Sequence, residues 1–412
     1  MTVLFMTVGI GRPDPASFAH GLAFCIKESR ANNIVFFGSS KSRETIPFIE
    51  SSFREQTKRT LPHNEFIELS RIYDLHTCFS EIKTVHDRMI KEDPDVDIII
   101  NYNTGTKCMT SAMTCLALLN HSTIFFVEGD RDTSDEIIVG TERIMQQTLY
   151  PVFDEMLVQR AIQYFNRKRY GYAIQELSGV CRHPRKENLL KIFSGYELWD
   201  QFSHREAYNL LKNLHPPEGQ KDQFEKNRIF LNKLLNSHVK QERYLCVLVD
   251  LLNNAQRRYD EGRYDDAVAR LYRAFELCAQ VMFLSAGLDD IEKKISFAEL
   301  ESRITNRDRL NRYKDYLDGN NVLVGCKRKF QLLQDIGVTD AMRWQGEMQS
   351  LLNKRNESIY AHGINPIDKE TADKFLMKMN DFVKQHFKGV QEKNGISVDD
   401  LFIMSRFLEL AP

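Results

Sequence analysis

Two stretches of this chain combine residue types that can do chemistry. The first is Asn101-Tyr102-Asn103-Thr104-Gly105-Thr106-Lys107-Cys108-Met109, which follows the apolar run VDIIIN and precedes the small-residue segment TSAMTCLALL. Asn, Thr and Gly offer side-chain and backbone donors at the start of a helix, and Lys107 adds positive charge, a combination suited to an anion. An ordinary N-cap in a strand–helix turn accounts for the same residues. It is not a P-loop, because the G-x-x-x-x-G-K spacing is absent. The second stretch is Arg355-Asn356-Glu357-Ser358-Ile359-Tyr360-Ala361-His362-Gly363. A guanidinium matches a bidentate anion and an imidazole suits proton transfer near neutrality. A structural arginine–carboxylate pair beside a satisfied core histidine is the competing reading. Arg71 and His76 meet the same loose spacing, as chance allows in a chain with 11 histidines, and they lie outside any long amphipathic segment.

The elements that must position these residues follow from periodicity. VLFMTVG (3–9), NIVFFGSS (33–40), VDIIIN (96–101) and STIFFVEGD (122–130) read as short buried strands, with a further strand in DEIIVGTE (135–142). Helices are expected over Phe18–Arg30, Thr45–Lys58, Cys78–Lys91 and Lys107–Leu119. Apolar strands alternating with helices imply a parallel sheet covered on both faces, so the first 150 residues form an α/β, Rossmann-like domain whose ligands sit at the C-terminal strand ends. Gly9-Ile10-Gly11 after the first strand is half of a dinucleotide-binding pattern, but Pro13, Asp14 and Pro15 interrupt it, which argues against a nicotinamide cofactor.

Beyond Pro151 the strand signal disappears and the remainder is expected to be all-α, broken at His215-Pro216-Pro217-Glu218-Gly219. Val268, Leu271, Tyr272, Phe275, Cys278, Ala279 and Met282 follow helical spacing. RYGYAIQEL (169–177) echoes RYDDAVARL (263–271), and Ala173 lies 34 residues before Ala207, the tetratricopeptide period. Trp344, Met348, Leu351, Leu352 and Ile359 form a stripe that predicts a helix running to Gly363. On it Arg355 and His362, seven residues apart, fall within about 20° of each other. Two polar groups on a burial face are costly unless a functional site or a seam between subunits resolves them. The three regions are 1–150, 151–245 and 246–412.

Composition removes other classes. Net charge is −1, with 15 basic and 20 acidic side chains in residues 1–150 and 41 and 37 in the remainder, so nucleic acid cannot be held by bulk electrostatics. No run of 18 apolar residues exists, so no membrane span is expected. Eight cysteines without a C-x-x-C suggest neither zinc nor disulfides and fit a cytoplasmic protein.

The order of these motifs resembles a known family. N-x-T-G-T-K-x-M after the fourth strand of a Rossmann-like domain is similar to the ligand loop of CARF domains, the CRISPR-associated sensors of cyclic oligoadenylate, although a doubled glycine usual there is single here. Arg355 and His362 match the R-x(4–6)-H pattern of HEPN ribonucleases, and DLLNNAQRRYDEGRYDDAVARLYRAFELCAQ with LLNKRNESIYAHG resembles the helical half of CARF–HEPN ribonucleases of type III CRISPR systems. The resemblance implies an activator pocket built by Thr7, Gly9, Gly11, Ser39, Asn101, Thr104, Gly105, Thr106 and Lys107, with cyclic tetra- or hexa-adenylate as activator. It implies a homodimer in which Arg355, Asn356 and His362 of both chains cut single-stranded RNA without metal or cofactor, leaving 2′,3′-cyclic phosphate and 5′-hydroxyl ends in antiviral defence. Some CARF domains slowly cut their own activator, for which Thr7, Asn101 and Lys107 are the residues here.

Competing readings are a non-catalytic nucleotide-sensing scaffold with tetratricopeptide-like helices, and a nucleotide-dependent Rossmann enzyme. A metal-dependent nuclease of the restriction type needs acidic residues on strands, which the second half is not expected to have.

Overall fold

The computed structural model describes residues 1–11, 15–130, 133, 137–138, 140–288, 291–388 and 397–411. The chain forms two compact units, Met1–Leu157 with Gly179–His183, and Val158–Ser178 with 184–412. The Pro13 and Asp14 interruption lies outside the described residues.

The first unit is a six-stranded sheet. Strands β1 (Thr2–Thr7), β2 (Asn33–Gly38), β3 (His63–Glu68), β4 (Asp97–Asn101), β5 (Ile124–Glu128) and β6 (Arg143–Gln147) lie in the order β3-β2-β1-β4-β5-β6. All neighbours are parallel except β5 and β6. Helices α1 (Pro15–Ser29), α2 (Ile46–Thr57), α3 (Leu75–Glu92) and α4 (Lys107–Asn120) connect the parallel strands. The strand period of two decides which helix meets which face. Leu4, Met6, Ile34 and Phe36 pack with Leu22 of α1 and Phe53 of α2, whereas Val3, Phe5, Val35 and Phe37 pack with Ile82 of α3 and Met113 of α4. Each fully buried side chain of β1 contributes about 1.5–3 kcal/mol. This is the expected doubly covered sheet.

The sheet departs from expectation at its edges. Strand β3, HNEFIE, was not foreseen, since its polar residues mask the pattern on a half-buried edge. The last strand is Arg143–Gln147, antiparallel, rather than 135–142; part of that earlier segment lies outside the described residues.

The second unit is mainly helical, with α5 (Tyr150–Asn166) entering it, followed by α6 (Tyr170–Ser178), α7 (Lys186–Asp200), α8 (His204–Leu211), α9 (Lys221–Asn236), α10 (Lys240–Asp260) and α11 (Tyr264–Ser285). Then come α12 (Phe297–Arg303), α13 (Arg307–Asn311), α14 (Cys326–Asp335), α15 (Ala341–Asn356), α16 (Lys369–His386) and α17 (Val398–Met404). The repeat echo has a structural counterpart in the turns. Lys168, Phe202 and Gly262 each take a left-handed φ, of 61°, 64° and 74°. Each is followed by a residue whose N–H reaches back five positions, Arg169 to Tyr164, Ser203 to Leu198 and Arg263 to Arg258. The pairs α5–α6, α7–α8 and α10–α11 are thus closed by the same C-terminal cap.

Strands do occur in this half, contrary to expectation. Lys294–Ser296, Leu317–Asp318 and Asn321–Leu323 form a small antiparallel sheet. Strands of two or three residues carry no periodic signal, although Asp318-Gly319, with Gly319 at φ +62°, is a hairpin turn signal. Among the described residues no helix is long and apolar enough to cross a membrane.

Candidate functional site

The first constellation lies at the C-terminal ends of β1 and β4, which pair directly in the sheet. Thr7 and Thr104 lock the two loops together: the Thr7 hydroxyl donates to the Thr104 carbonyl, and the Thr104 hydroxyl donates to the Thr7 carbonyl at 2.6 Å. Glycine lets the loops approach this closely. A Cβ on Gly9 would sit 3.3 Å from the Gly105 nitrogen, and Gly105 itself has φ +104°. Gly11 is likewise left-handed, at φ +66°. Ser39 shapes the turn after β2, its hydroxyl accepting from the Ser42 N–H at 3.3 Å. Thr106 caps α4, accepting from the Met109 N–H and donating to the Ile72 carbonyl. Lys107 opens that helix, is exposed and makes no ion pair among the described residues.

Two residues expected to touch a ligand are turned to other work. Thr7 and Asn101 are fully buried. The Asn101 amide donates to the Asn103 side chain at 2.7 Å, to the Phe125 carbonyl at 2.9 Å and toward the Cys25 sulfur at 3.1 Å. Asn103 in turn exchanges hydrogen bonds with the Val127 backbone. Asn101 therefore holds the β4 loop against β5, and Thr7 and Asn101 build the wall on which Thr104, Gly105 and Lys107 stand. Removing the hydroxyl in Thr104→Val should destabilise the first unit by about 1–3 kcal/mol, since the Thr7 carbonyl loses its donor in a dry site; thermal unfolding checks this.

The second constellation is held by a turn rather than by helical phase. Helix α15 stops at Asn356, and Ile359, expected on its buried stripe, is 61% exposed. The backbone bonds that would continue the helix are made across a loop instead. Ser358 N–H donates to Arg355, Gly363 to Ser358, and Ile359 to Asn365. The His362 N–H donates to the Asn356 carbonyl at 3.1 Å, so the loop returns His362 to the residue next to Arg355. Ser358 is buried beneath it and His362 is exposed. The loop's exit is tied to α11, where the Asp265 carboxylate accepts from the Ile367 N–H at 3.1 and 3.2 Å.

Arg355 is half-buried, with its guanidinium over the ring of Tyr272 of α11 at 3.9 Å and Nη1 donating to the Asn356 side chain at 3.1 Å. No carboxylate pairs with it among the described residues, which disfavours the arginine–carboxylate alternative. Burial pushes the Tyr272 hydroxyl up to about 12 and the neighbouring Cys326 thiol up to about 12, so both stay neutral beneath the cation. Sequence reasoning missed Tyr272 as a platform, because it read as one more residue of an apolar stripe. It gave Gly363 only the role of ending a helix, whereas the residue closes the loop, where a Cβ would lie 1.8 Å from the Glu357 carbonyl oxygen. Gly363→Ala must reopen the loop, costing about 1–3 kcal/mol and displacing His362; hydrogen exchange of residues 355–365 should rise in that variant.

The Csm6 6H domain family matches residues 153–245 and the Csm6 HEPN domain family matches residues 236–386, together more than half of the chain. The chain belongs to the Csm6-type CARF–HEPN ribonucleases of CRISPR systems. Among solved structures it is similar to Enterococcus italicus Csm6 bound to cyclic hexa-2′-fluoro-hexa-dAMP, with a TM-score of 0.64 and 11% identity over 98% of both chains. At that identity the likeness establishes the fold, an α/β domain followed by a mainly helical region ending in a HEPN domain. Can2 from Sulfobacillus thermosulfidooxidans in complex with cyclic tetra-adenylate aligns over 60% of this chain and 67% of its own, at 14% identity and a TM-score of 0.24, too low to mean a shared fold. No curated protein matches the chain. In Csm6 terms, Arg355 to Gly363 falls inside the HEPN match.

Proposed function

We infer that this protein is a cytoplasmic, cyclic-oligoadenylate-activated endoribonuclease that cuts single-stranded RNA without a metal ion. The observation that supports this reading is the His362–Asn356 backbone bond, which returns the loop carrying an exposed histidine to the residue next to Arg355, an arginine that no carboxylate pairs with among the described residues. In the reaction the RNA 2′-oxygen attacks the adjacent phosphorus, its proton passes to an imidazole, and the 5′-oxygen leaves after taking a proton. The products are a 2′,3′-cyclic phosphate and a 5′-hydroxyl. His362 moves the protons. Arg355, levelled on the Tyr272 ring, neutralises the phosphorane charge, and Asn356 orients the guanidinium.

Two chains complete the site. Ile359, Tyr360 and Ile364 are exposed around His362, at 61%, 57% and 86%, an apolar rim suited to a second copy of the loop. In the first unit, Gly9, Gly11, Ser39, Thr104, Gly105, Thr106 and Lys107 would contact a cyclic tetra- or hexa-adenylate shared by two protomers, which shifts the dimer towards its cutting arrangement. With Thr7 and Asn101 buried in the wall, slow cutting of the activator there would rest on Lys107. Lys107→Ala should weaken activator binding and flatten its salt dependence, because one phosphate contact is lost.

Product ends test the reaction directly. Activated enzyme in EDTA should yield fragments bearing 2′,3′-cyclic phosphate by mass spectrometry. Fragments with 5′-phosphate ends, or activity abolished by EDTA, would contradict the reading.

A further inference from the structure

Basic side chains gather on one short segment of the second unit. Residues 291–329 hold 10 basic and 6 acidic side chains, an excess equal to that of the whole chain after residue 150. Between Arg312 and Lys329 five basic side chains stand against two carboxylates, Asp315 and Asp318. Of these, Asp318 is already paired with Lys294, and Lys329 is buried. Lys314 and Lys327 are exposed and make no ion pair among the described residues.

An aromatic ring lies among these cations. The Arg328 guanidinium sits over the Tyr316 ring at 3.3 Å, and its Nη1 donates to the Leu323 carbonyl at 3.1 Å. The ring itself is 39% exposed. The pair repeats the placing of Arg355 over Tyr272 at 3.9 Å, and the two pairs stand on adjoining elements. Helix α14 begins at Cys326 and packs against α11 and α15. Cys326 is within electrostatic reach of both Tyr272 and Arg355, and Lys327 and Arg328 follow it within the same helical turn. Glu276 also acts on Cys326, but Arg273 holds it at 3.6 Å. Cations beside an open ring suit an unpaired nucleic-acid strand, since the cations take phosphates and the ring takes a base of any sequence. An acidic protein would use the charges alone and leave the ring idle.

We propose that the start of α14 and the turn Lys314–Tyr316 form a track for the RNA strand flanking the cut, with phosphates on Lys314, Lys327 and Arg328 and a base on Tyr316. The inference rests on the RNA-cutting reading of Arg355 and His362, and adds to it how a substrate is gripped away from the bond that breaks. Fluorescence anisotropy of the full chain with a labelled 2′-O-methyl RNA of about twelve nucleotides tests it. Blocking the 2′-oxygen removes the nucleophile, so binding is read apart from cleavage. Lys327→Ala/Arg328→Ala should weaken binding by about tenfold and flatten the salt dependence by a slope of about 1.4, the share of two phosphate contacts on a single strand. Tyr316→Leu should weaken it by about fivefold or more, as one stacked base is lost. Lys327→Ala alone removes an exposed side chain, and it should still flatten the slope by about 0.7 if the double variant folds poorly. Lys221→Ala, which removes an exposed lysine of α9, should bind as the unmodified chain does. A parent chain that does not bind the strand at low salt, parent-like affinity and slope in Lys327→Ala, or an equal loss in Lys221→Ala would each overturn the track. Binding that falls as expected in a chain that cuts no RNA would uphold the track and fail the cleavage reading.

Discussion

His362→Ala should slow activated RNA cleavage by about 10²–10⁴-fold, the usual contribution of a positioned acid–base group. Its melting temperature should stay near that of the unmodified chain, because His362 is exposed and, among the described residues, it serves the loop through its backbone N–H. Arg355→Ala should cost about 10²–10³-fold, in the range measured for removing one donor to a developing anion. Arg355→Lys should rescue little, since an ammonium cannot both lie on the Tyr272 ring and present a planar fork. Tyr272→Leu should give a smaller loss, as a cation–π contact contributes about 0.5–2 kcal/mol. Initial rates on one RNA at saturating activator rank the four variants. A His362→Ala enzyme as active as the parent would remove His362 from the chemistry and revive the scaffold reading.

Asp200→Ala should produce the largest stability loss of any single change considered. Its carboxylate takes one bond from each of two buried arginines, and its backbone carbonyl accepts from the Asn254 amide at 2.8 Å. Cutting the carboxylate away leaves two cations in a dry site, a loss of about 3–5 kcal/mol. Replacing the exposed pair Lys374 and Glu370 should leave stability nearly unchanged, because solvent screens that pair. Chemical denaturation of both variants makes the comparison. Asp200→Ala unfolding with the parent's midpoint would mean that water already screens the arginines.

The sheet was legible because β1, β2 and β4 are apolar on both faces, and a continuous apolar run between helical segments has few other interpretations. β3 was not, because an edge strand needs only Phe66 and Ile67 to dock. The two candidate stretches stood out by residue type, but the turn that brings the His362 backbone back to Asn356 did not. Spacing of seven looks like two helical turns, and nothing in the residue types announces that Gly363 folds against the Glu357 carbonyl instead. A glycine with no space for a methyl group is visible only once the backbone is placed. Asn101 illustrates the converse: its residue type suggested a ligand contact, and its position at the end of a buried strand made it a brace for the β5 backbone.

The proposed activation couples ligand binding at the loops after β1 and β4 to RNA cleavage at the loop after α15. Its most direct measurement is cleavage of a fluorophore–quencher single-stranded RNA in EDTA, without activator, with cyclic tetra-adenylate and with cyclic hexa-adenylate. Lys107→Ala and Arg355→Ala/His362→Ala are run beside the parent chain. The account predicts cleavage with one ring size, a right-shifted activator curve for Lys107→Ala and loss of cleavage in the double variant. A folded protein that binds a ring nucleotide yet cuts no RNA under any of these conditions would contradict it.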